Sequence, residues 1–269
     1  MASVQTSKVG GLMGYEVPLQ VKNLSFAYDK QDVLHQVEGD FYQGTFYGIA
    51  GPNGSGKSTW LKLMAGLNNC PHNRIHIFGQ DIHKMPRMTL AKKISFVPQM
   101  FNMKYAFTVE EVIMMGRYPY TNRMTNITNQ DHDKVEKTLF ETNLMSLRNR
   151  HVNELSGGEL QRVVIARAIA QDTDIILLDE PISHLDVHYQ FEIIALLKEI
   201  CRKQNKIVIS VLHDLNITMN HCDHIFLMKE GRIIKQGEPL KILTEENIDE
   251  VYNLKVNMLI NHDKKWITW

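Results

Sequence analysis

The order of hydrophobic and polar residues predicts a β-rich beginning for this chain. Between residues 17 and 50, apolar and polar residues alternate in three stretches, which is the period of strands with one buried face. A glycine-rich loop follows the third stretch, and the apolar spacing after it favours a helix. The predicted strands cover residues 17–28, 33–41, 45–50, 74–78 and 94–97, and the predicted helix covers 60–67. These strands indicate an antiparallel β subdomain beside the loop.

Further along, the pattern changes to helices and continuous apolar strands. Residues 108–150 have helical spacing with a polar break at 121–130 and contain no convincing strand. Beyond residue 158, helical stretches alternate with short apolar runs, which is typical of an α/β core with a largely parallel sheet. The predicted elements are a helix after 158, strands at 174–179 and 206–214, a helix ending near 202, short strands within 224–238 and a helix at 245–252. The predicted fold class is α/β, with an antiparallel β subdomain and a helical subdomain over residues 100–172.

Length and composition place these elements in one domain with an ordinary hydrophobic core. The chain has 269 residues, 43% of them hydrophobic, so a single domain over 17–269 is expected after a flexible leader at 1–16. Lys and Arg (30) balance Asp and Glu (30), which argues against a broad nucleic-acid-binding surface. No apolar run approaches the roughly 18 residues of a membrane span, and the leader lacks the apolar segment of a secretion signal. The chain is therefore expected in the cytosol unless a partner holds it at a membrane.

The cysteines suggest neither a disulfide framework nor a metal centre. Cys70, Cys201 and Cys222 form no CxxC pair, and Cys201 lies on the apolar stripe of a predicted helix. The run of residues 221–224, His-Cys-Asp-His, matches no zinc spacing, so no protein-bound metal is assigned to it.

Residues 51–59 carry a strong chemical signal. They fit the phosphate-binding pattern G-x-x-x-x-G-K-[ST], with a predicted strand before and a helix after. Such a loop surrounds phosphates with backbone N–H groups and a helix N-terminus, while Lys57 reaches the β and γ phosphates of ATP and Ser58 offers its hydroxyl to Mg²⁺. A glycine-rich turn with a surface lysine is the alternative, and a full match in this setting argues against it. The residues assigned to this P-loop are Gly51, Pro52, Asn53, Gly54, Ser55, Gly56, Lys57, Ser58 and Thr59.

Two adjacent carboxylates follow the apolar strand at 174–179. Asp179 and Glu180 are placed at the carboxyl edge of the sheet, where open α/β sheets collect their ligands. Asp179 suits the shell of a metal ion, and Glu180 can polarise a water molecule for attack on the γ phosphate. Alone, the pair would be a strand end with solvated acids, but the P-loop favours the catalytic interpretation.

The segment Leu155-Ser156-Gly157-Gly158-Glu159 precedes a predicted helix. Ser156 and Glu159 fit a capping box, which on its own would mean only a well-capped helix. Capping does not require two glycines, however. Gly157 and Gly158 expose backbone N–H groups at a positive helix end, so the segment predicts a second phosphate-binding surface.

The order of these motifs resembles that of ATP-binding cassette (ABC) subunits from about Leu19 to Tyr252. The resemblance implies a magnesium shell of Ser58, Gln99 and Asp179. It also implies that Ser156 and Gly158 grip the γ phosphate of ATP held by the other subunit of a head-to-tail dimer. The further roles that it implies are adenine stacking for Tyr28, sensing of metal and attacking water for Gln99, communication across the dimer for Asp186 and γ-phosphate contact for His213. Without this resemblance to ABC subunits, Tyr28 would be interpreted as a strand aromatic and His213 as a structural histidine.

A narrower resemblance is to the cassettes of ferric siderophore, haem and cobalamin importers. The similar segments are the run from Thr108 to Tyr120, Ala170-Gln171, Ser183-His184-Leu185-Asp186 and 212–216. In those importers the region after the glutamine receives a permease helix. Val109, Val112, Ile113 and Gly116 have helical spacing, so one face should pack inside while the other docks. On the docking face, we expect Arg117, Tyr118 and Tyr120 to anchor the partner.

These observations predict an ATP-hydrolysing importer subunit that uses ATP and Mg²⁺. Its expected partners are a second copy of itself, integral-membrane permease subunits and, indirectly, a substrate-binding protein, with a peripheral position on the cytoplasmic side of the cell membrane. The predicted cargo is a metal chelate, first a ferric siderophore, then haem or cobalamin. The rival is a soluble ABC ATPase acting on nucleic acid or an assembly partner. A weaker rival is a non-hydrolysing P-loop module, which Glu180 disfavours.

Overall fold

The fold is described by a computed structural model that covers residues 17–101, 103, 105–121, 127–183, 185–261 and 264–268. The predicted leader at 1–16, His184 and part of the polar break at 121–130 lie outside the described residues. The strands are β1 Leu19–Tyr28, β2 Gln31–Phe41, β3 Phe46–Ala50, β4 Ile75–Ile77, β5 Gln80–Asp81, β6 Ile94–Val97, β7 Ile175–Asp179, β8 Ile207–Val211, β9 His224–Lys229, β10 Arg232–Gly237, β11 Asn257–Asn261 and β12 Lys264–Thr268. The α-helices are α1 Lys57–Met64, α2 Arg87–Ala91, α3 Val109–Met114, α4 Asn129–Glu141, α5 Gly157–Ala170, α6 Val187–Lys203, α7 Leu215–His221, α8 Pro239–Ile242 and α9 Glu245–Tyr252.

A mixed sheet in the order β10-β9-β3-β8-β7-β6 forms the centre of the molecule. Strands β9, β3, β8, β7 and β6 pair in parallel, and β10 pairs antiparallel at one edge. Both faces are covered, because every residue of β3, β7 and β8 is buried. In β3, Phe46 and Ala50 enter one hydrophobic core while Tyr47 and Ile49 enter the other. The continuous apolar runs in the sequence therefore correspond to strands buried on both sides.

The two faces of this sheet carry different layers. Strands β2-β1-β4-β5 form an antiparallel sheet, which shares one core with α1 and the odd-numbered residues of β7 and β8. Helices α6 and α7 contribute to the core on the opposite face. This arrangement confirms the predicted α/β class with its antiparallel sheet.

Helices α3, α4 and α5 share a third hydrophobic cluster, built from residues such as Val112, Leu139 and Val163. Each of these helices begins at a complete capping box, with Thr108, Thr128 or Ser156 as the N-cap residue. Their starts are thus encoded locally, and α5 also packs against β6 at the edge of the central sheet.

The structure differs from the predicted elements at several points: helices α2, α7 and α8 were not predicted, and the strand predicted at 206–214 is shorter, Ile207–Val211. The first helix begins at Lys57 and not at residue 60, so the end of the P-loop forms its first turn. Strand β5 is two residues long, too short to show a period in sequence. The hairpin β11–β12 was not predicted, and it is fastened by Asn216, whose side chain bonds both the N–H and the C=O of Ile267, at 2.8 and 3.1 Å.

The expectation that Arg117 offers its cation to a docking partner is wrong. Arg117 is only 9% exposed, and its Nε donates to Asp131 Oδ1 at 2.9 Å. Its Nη1 donates to the carbonyl oxygen of Ala170 at 2.7 Å, and its guanidinium lies 4.0 Å from the ring centre of Tyr120. Tyr118, by contrast, is 70% exposed. A buried charge needs a partner of opposite sign, and Asp131 supplies it from the first turn of α4.

Candidate nucleotide site

The P-loop connects β3 to α1 at the carboxyl edge of the central sheet. Gly51 has φ +154°, and a Cβ there would lie 2.2 Å from the carbonyl oxygen of Met228. Gly56 has φ +94° and is the N-cap of α1, so no side chain caps the first N–H groups of this helix. Ser55 Oγ is buried and has no hydrogen-bond partner among the described residues. Uncapped N–H groups and an orphaned hydroxyl on one loop fit a phosphate group.

Lys57 lies folded over its own loop. Its Nζ donates to the carbonyl oxygens of Gly51 and Pro52, each at 2.8 Å. Burial lowers the pKa of Lys57, while the nearby carboxylates of Glu180 and Asp179 act in the opposite direction. The ammonium group is therefore bonded to the backbone of its own loop and lies close enough to Glu180 and Asp179 to feel their charges.

Ser58 and Asp179 place two oxygens side by side. Helix α1 packs across β8 and β7, and Ser58 Oγ donates to Asp179 Oδ1 at 2.6 Å. Asp179 is 2% exposed, and its burial raises the pKa of the carboxyl group against the opposing hydrogen bond from Ser58. A hydroxyl and a carboxylate are oxygen ligands of the kind that Mg²⁺ prefers, so the pair fits this ion.

Glu180 follows β7 in a left-handed conformation, with φ +52°. This backbone region disfavours residues other than glycine, asparagine and aspartate, and it recurs at functional sites. One carboxylate oxygen, Oε1, lies 2.5 Å from Nε2 of His213. The other, Oε2, accepts from Gln99 Nε2 at 2.7 Å and from Ser183 Oγ at 3.0 Å. Three separate loops thus meet at one carboxylate.

The electrostatics at Glu180 favour its charged form. Burial raises the pKa of this carboxyl group, but the hydrogen bonds from His213 and Ser183, with the charges of His213 and Lys57, lower it by more. Its pKa therefore lies below the ordinary value of 4.5. Ser183 was not singled out from sequence as a functional residue, although its position three residues after Glu180 places it in the same turn.

Tyr28 lies at the end of β1, and the residue is 45% exposed. Its hydroxyl accepts a hydrogen bond from Asn68 Nδ2 at 2.6 Å, and its ring packs perpendicular to that of Phe26, with 4.9 Å between the ring centres. The side chain is therefore held at two points while nearly half of the residue stays open to solvent. No feature of the sequence marked Asn68, because its partner lies 40 positions away.

The segment at 155–159 forms its predicted capping box. Ser156 Oγ accepts from the Glu159 N–H at 3.3 Å, and Glu159 Oε2 accepts from the Ser156 N–H at 2.8 Å. These bonds lower the pKa of Glu159, a favourable charge at a helix N-terminus. A Cβ at Gly157 would meet nothing within 4 Å, so this N-terminus is open on one side.

Residues predicted to act together divide into two groups in the structure. One group lies at the carboxyl ends of four neighbouring strands and is joined by hydrogen bonds and an ion pair. It consists of the P-loop after β3, Asp179 and Glu180 at the end of β7, Gln99 after β6 and His213 after β8. Within the part of the chain that the structure describes, Ser156 and Asp186 make no hydrogen bond to this group, and each caps its own helix instead. Helix α5 packs against β6, three strands away from β3, and three steps of about 4.8 Å separate those strands by about 14 Å.

Comparison with known proteins gives the family of the chain. A family model described as ABC transporter matches residues 34–183, more than half of the 269 residues. The achromobactin transport ATP-binding protein CbrD of Dickeya dadantii is 36% identical over 87% of each chain. The petrobactin import ATP-binding protein YclP of Bacillus subtilis is 34% identical over 88% of this chain and 94% of the relative. The ferric enterobactin transport ATP-binding protein FepC of Escherichia coli is 34% identical over 88% of each chain.

Solved structures share the fold. An inward-facing ABC transporter assigned to the metal-chelate type has a TM-score of 0.81 and 30% identity, covering 93% of this chain and 96% of that one. The ATP-binding cassette MJ0796, solved as a dimer bound to ADP and Pi, has a TM-score of 0.71 and 29% identity, covering 82% and 98%. Within the described residues, no helix has the length and apolar character for crossing a membrane. With the nucleotide site assembled as above, these likenesses show that the chain belongs to the ABC transporter family and is one of its ATP-binding, ATP-hydrolysing subunits.

Proposed function

We propose that two copies of this ATPase bind ATP head to tail and drive import of a metal chelate, first of all a ferric siderophore, with haem or cobalamin next. The observation that carries the catalytic part is the Glu180 carboxylate, which His213, Gln99 and Ser183 hold beside the Ser58–Asp179 pair. The cargo is inferred from the relatives named for achromobactin, petrobactin and ferric enterobactin.

Glu180 serves as the base in this proposal. Its lowered pKa keeps it ionised at neutral pH, so its carboxylate is ready to accept a proton from the water that attacks the γ phosphate. Hydrogen bonds to both oxygens fix the plane of the group before substrate arrives. His213, 2.5 Å from Oε1, and Gln99, 2.7 Å from Oε2, then lie close enough to follow changes at the γ phosphate.

The P-loop binds the phosphates and the acids hold the metal. Backbone N–H groups around Gly56, with Lys57, would surround the β and γ phosphates, and the exposed Tyr28 would stack on adenine. Ser58, Asp179 and Gln99 would hold Mg²⁺, which neutralises charge on the phosphates when bound. Since His, Cys, Asp and Glu form no metal-binding group of three in the described parts of the chain, the phosphates themselves would supply further ligands.

The segment at 155–159 would complete the site of the partner copy. Its open helix N-terminus at Gly157 suits a γ phosphate, and the helix that it begins packs beside β6, three strands away from the β3 that leads into the P-loop of the same copy. ATP would close the pair by contacting both copies, and hydrolysis would release it. Asp186 would communicate across the same interface.

The region after Gln99 is proposed to receive a permease helix on the cytoplasmic side of the cell membrane. A groove of about 550 Å³ has an apolar part formed by Phe107, Met114, Met115, Tyr118 and Ile127, and its remaining lining residues are Glu110, Glu111, Arg117, Thr121 and His132. Apolar side chains with an exposed tyrosine are typical of interface centres. A substrate-binding protein would act on the far side of that permease.

The catalytic proposal is tested with Glu180→Gln. This change should retain ATP binding but slow turnover about 10²–10⁴-fold, the usual contribution of a positioned base, and should accumulate an ATP-bound dimer. Ser183→Ala removes one hydrogen bond to the same charged carboxylate, worth about 1.5–3 kcal/mol, and should slow turnover less than Glu180→Gln does, because the carboxylate itself remains and His213 and Gln99 still hold it. Lys57→Ala should instead weaken nucleotide binding. A normal rate in Glu180→Gln would show that another group is the base.

The composite site is tested by mixing inactive variants. Lys57→Ala damages the P-loop side of a site and Ser156→Arg the opposite side, so their mixed dimer would hold one intact and one doubly damaged site. Partial recovery of ATPase activity is expected on mixing. If Ser156→Arg leaves the rate of the homodimer unchanged, the composite site is wrong.

Docking is tested with Tyr118→Ala in vesicles that carry the permease. Chelate uptake should fall by more than the ATPase rate of the isolated subunit, because Tyr118 lines the groove and is not among the residues that bond Glu180. Uptake that survives unchanged, or a co-purifying permease for sugars or amino acids, would contradict the importer assignment while leaving the ATPase intact.

A further inference from the structure

The two glycines at the start of α5 have different surroundings. A Cβ at Gly157 would meet nothing within 4 Å, whereas a Cβ at Gly158 would lie 2.5 Å from Cγ of Tyr189. It would also lie 2.6 and 2.8 Å from the two Cδ atoms of that ring. Contacts this short are closer than van der Waals packing allows. Gly158 therefore lacks a side chain because an aromatic ring occupies the space.

Tyr189 lies in the first turn of α6, three residues after the N-cap residue Asp186. Its N–H donates to Asp186 Oδ1 at 3.2 Å, which caps the helix. The guanidinium of Arg162, one turn after Gly158 on α5, lies 5.7 Å from the ring centre and pairs with Glu192, one turn along α6. The ring is thus held between the starts of two helices.

We propose that Tyr189 is a positioning residue that fixes the 155–159 segment relative to Asp186, so that both loops move as one unit. The proposal rests on the proposed function, in which these two loops complete the ATP site of the partner copy. A phosphate-binding N-terminus must be held to within about 0.5 Å to be effective. A rigid ring with only two side-chain torsions can do this at low entropic cost.

The proposal differs from the view that Gly158 is glycine to let phosphate approach. If the ring sets the requirement, an alanine at 158 should be harmful only while Tyr189 is present. If phosphate sets it, an alanine should be equally harmful with or without the ring. Gly157→Ala is the matched control for the phosphate effect, because a Cβ at Gly157 would meet no atom within 4 Å.

The test is a double-mutant cycle of Gly158→Ala and Tyr189→Ala, followed by kcat and KM for ATP. Gly158→Ala alone should lower kcat/KM at least about tenfold, because overpacking displaces the segment. In the Tyr189→Ala background the same change should cost less than about threefold, so the two effects are coupled. The single variant Tyr189→Phe keeps the ring and should retain the wild-type values of kcat and KM. Equal costs of Gly158→Ala in both backgrounds would overturn the proposal.

Hydrogen exchange separates this proposal from the composite site. The amides of Ser156, Glu159 and Leu160, which donate hydrogen bonds within this segment, should exchange at least about tenfold faster in Tyr189→Ala than in wild type or Tyr189→Phe, because local opening becomes easier. Thermal unfolding of each variant checks that the chain is folded. Unchanged exchange in Tyr189→Ala refutes the positioning role, whatever the ATPase rate. A normal rate in Ser156→Arg together with faster exchange in Tyr189→Ala would instead refute the composite site and retain the positioning role.

Discussion

Removing the Arg117 side chain should be among the most destabilising single changes in the helical part of the molecule. Its ion pair with Asp131 is largely shielded from solvent, since the two side chains are only 10% and 7% exposed. Arg117→Ala would leave the Asp131 carboxylate buried without its partner, which typically costs about 3–5 kcal/mol. The carbonyl oxygen of Ala170 and the face of Tyr120 would lose the same guanidinium. Against a total stability of about 5–15 kcal/mol, this loss is large.

A matched control is available on the surface. Lys93 and Asp174 also pair at 3.0 Å, but their side chains are 42% and 38% exposed. Solvent screening limits such a pair to about 0–1 kcal/mol, so Lys93→Ala should cost far less than Arg117→Ala. Asp131→Asn should cost about as much as Arg117→Ala, and the double variant should cost less than their sum because they share one interaction.

The assay is urea unfolding of the isolated subunit, followed by circular dichroism at pH 7. Burial raises the pKa of Asp131, but bonds from Thr128 and Arg117 lower it below the ordinary 3.8. A depressed carboxyl pKa contributes stability that is fully present above pH 3.8 and lost as the pH falls through the folded value. The stability that this pair contributes to the wild-type protein should therefore be the same at pH 5 and pH 7. A cost no greater than that of Lys93→Ala would refute the buried-pair reasoning.

Three further predictions concern the nucleotide site and the thiols. Tyr28→Ala should weaken ATP binding by about 1–3 kcal/mol, or about 5- to 150-fold, through loss of base stacking, whereas Tyr28→Phe keeps the ring and should stay within about threefold; fluorescent-nucleotide titration measures both, and equal losses would exclude stacking. Glu180 has a pKa below 4.5, so its carboxyl ¹³C signal, assigned with Glu180→Gln, should not titrate between pH 5 and 8; a midpoint in that range would contradict its hydrogen bonding. All three cysteines are buried, and burial raises the pKa of Cys201 to about 11. A thiol reagent at pH 8 should therefore label Cys70, Cys201 and Cys222 only after unfolding, and rapid labelling of the native chain would show that these sites open readily.

Most of the architecture could be predicted because it depends on local signals. Continuous apolar runs such as Ile175–Asp179 mark strands buried on both faces, and capping boxes at Thr108 and Ser156 mark helix starts. These signals act over a few residues, so a single sequence contains them. The hairpin β11–β12 escaped prediction because its anchor, Asn216, contacts Ile267 from 51 positions away.

The candidate site was predictable in its residue types but only partly in its contacts. Adjacent carboxylates after a strand indicated Asp179 and Glu180, whereas the spacing of Ser183, three residues after Glu180, was compatible with the bond between them but did not single it out. For Arg117 the local pattern led to a wrong prediction, because an arginine beside two tyrosines is typical of an interface and this arginine is buried. Its partner carboxylate lies 14 positions away and its carbonyl partner 53 positions away, so only the fold reveals that the cation is used internally.

The left-handed backbone of Glu180 has a consequence for how this protein can evolve. Glutamate at φ +52° is less favourable than glycine by roughly 1 kcal/mol in its backbone conformation. The contacts of its carboxylate with His213, Gln99 and Ser183 oppose this cost, so a replacement that relieves the backbone would also leave these three side chains without their partner. Backbone strain alone therefore does not favour glycine here, and persistence of glutamate in a lineage would record selection for its carboxylate rather than for its backbone conformation.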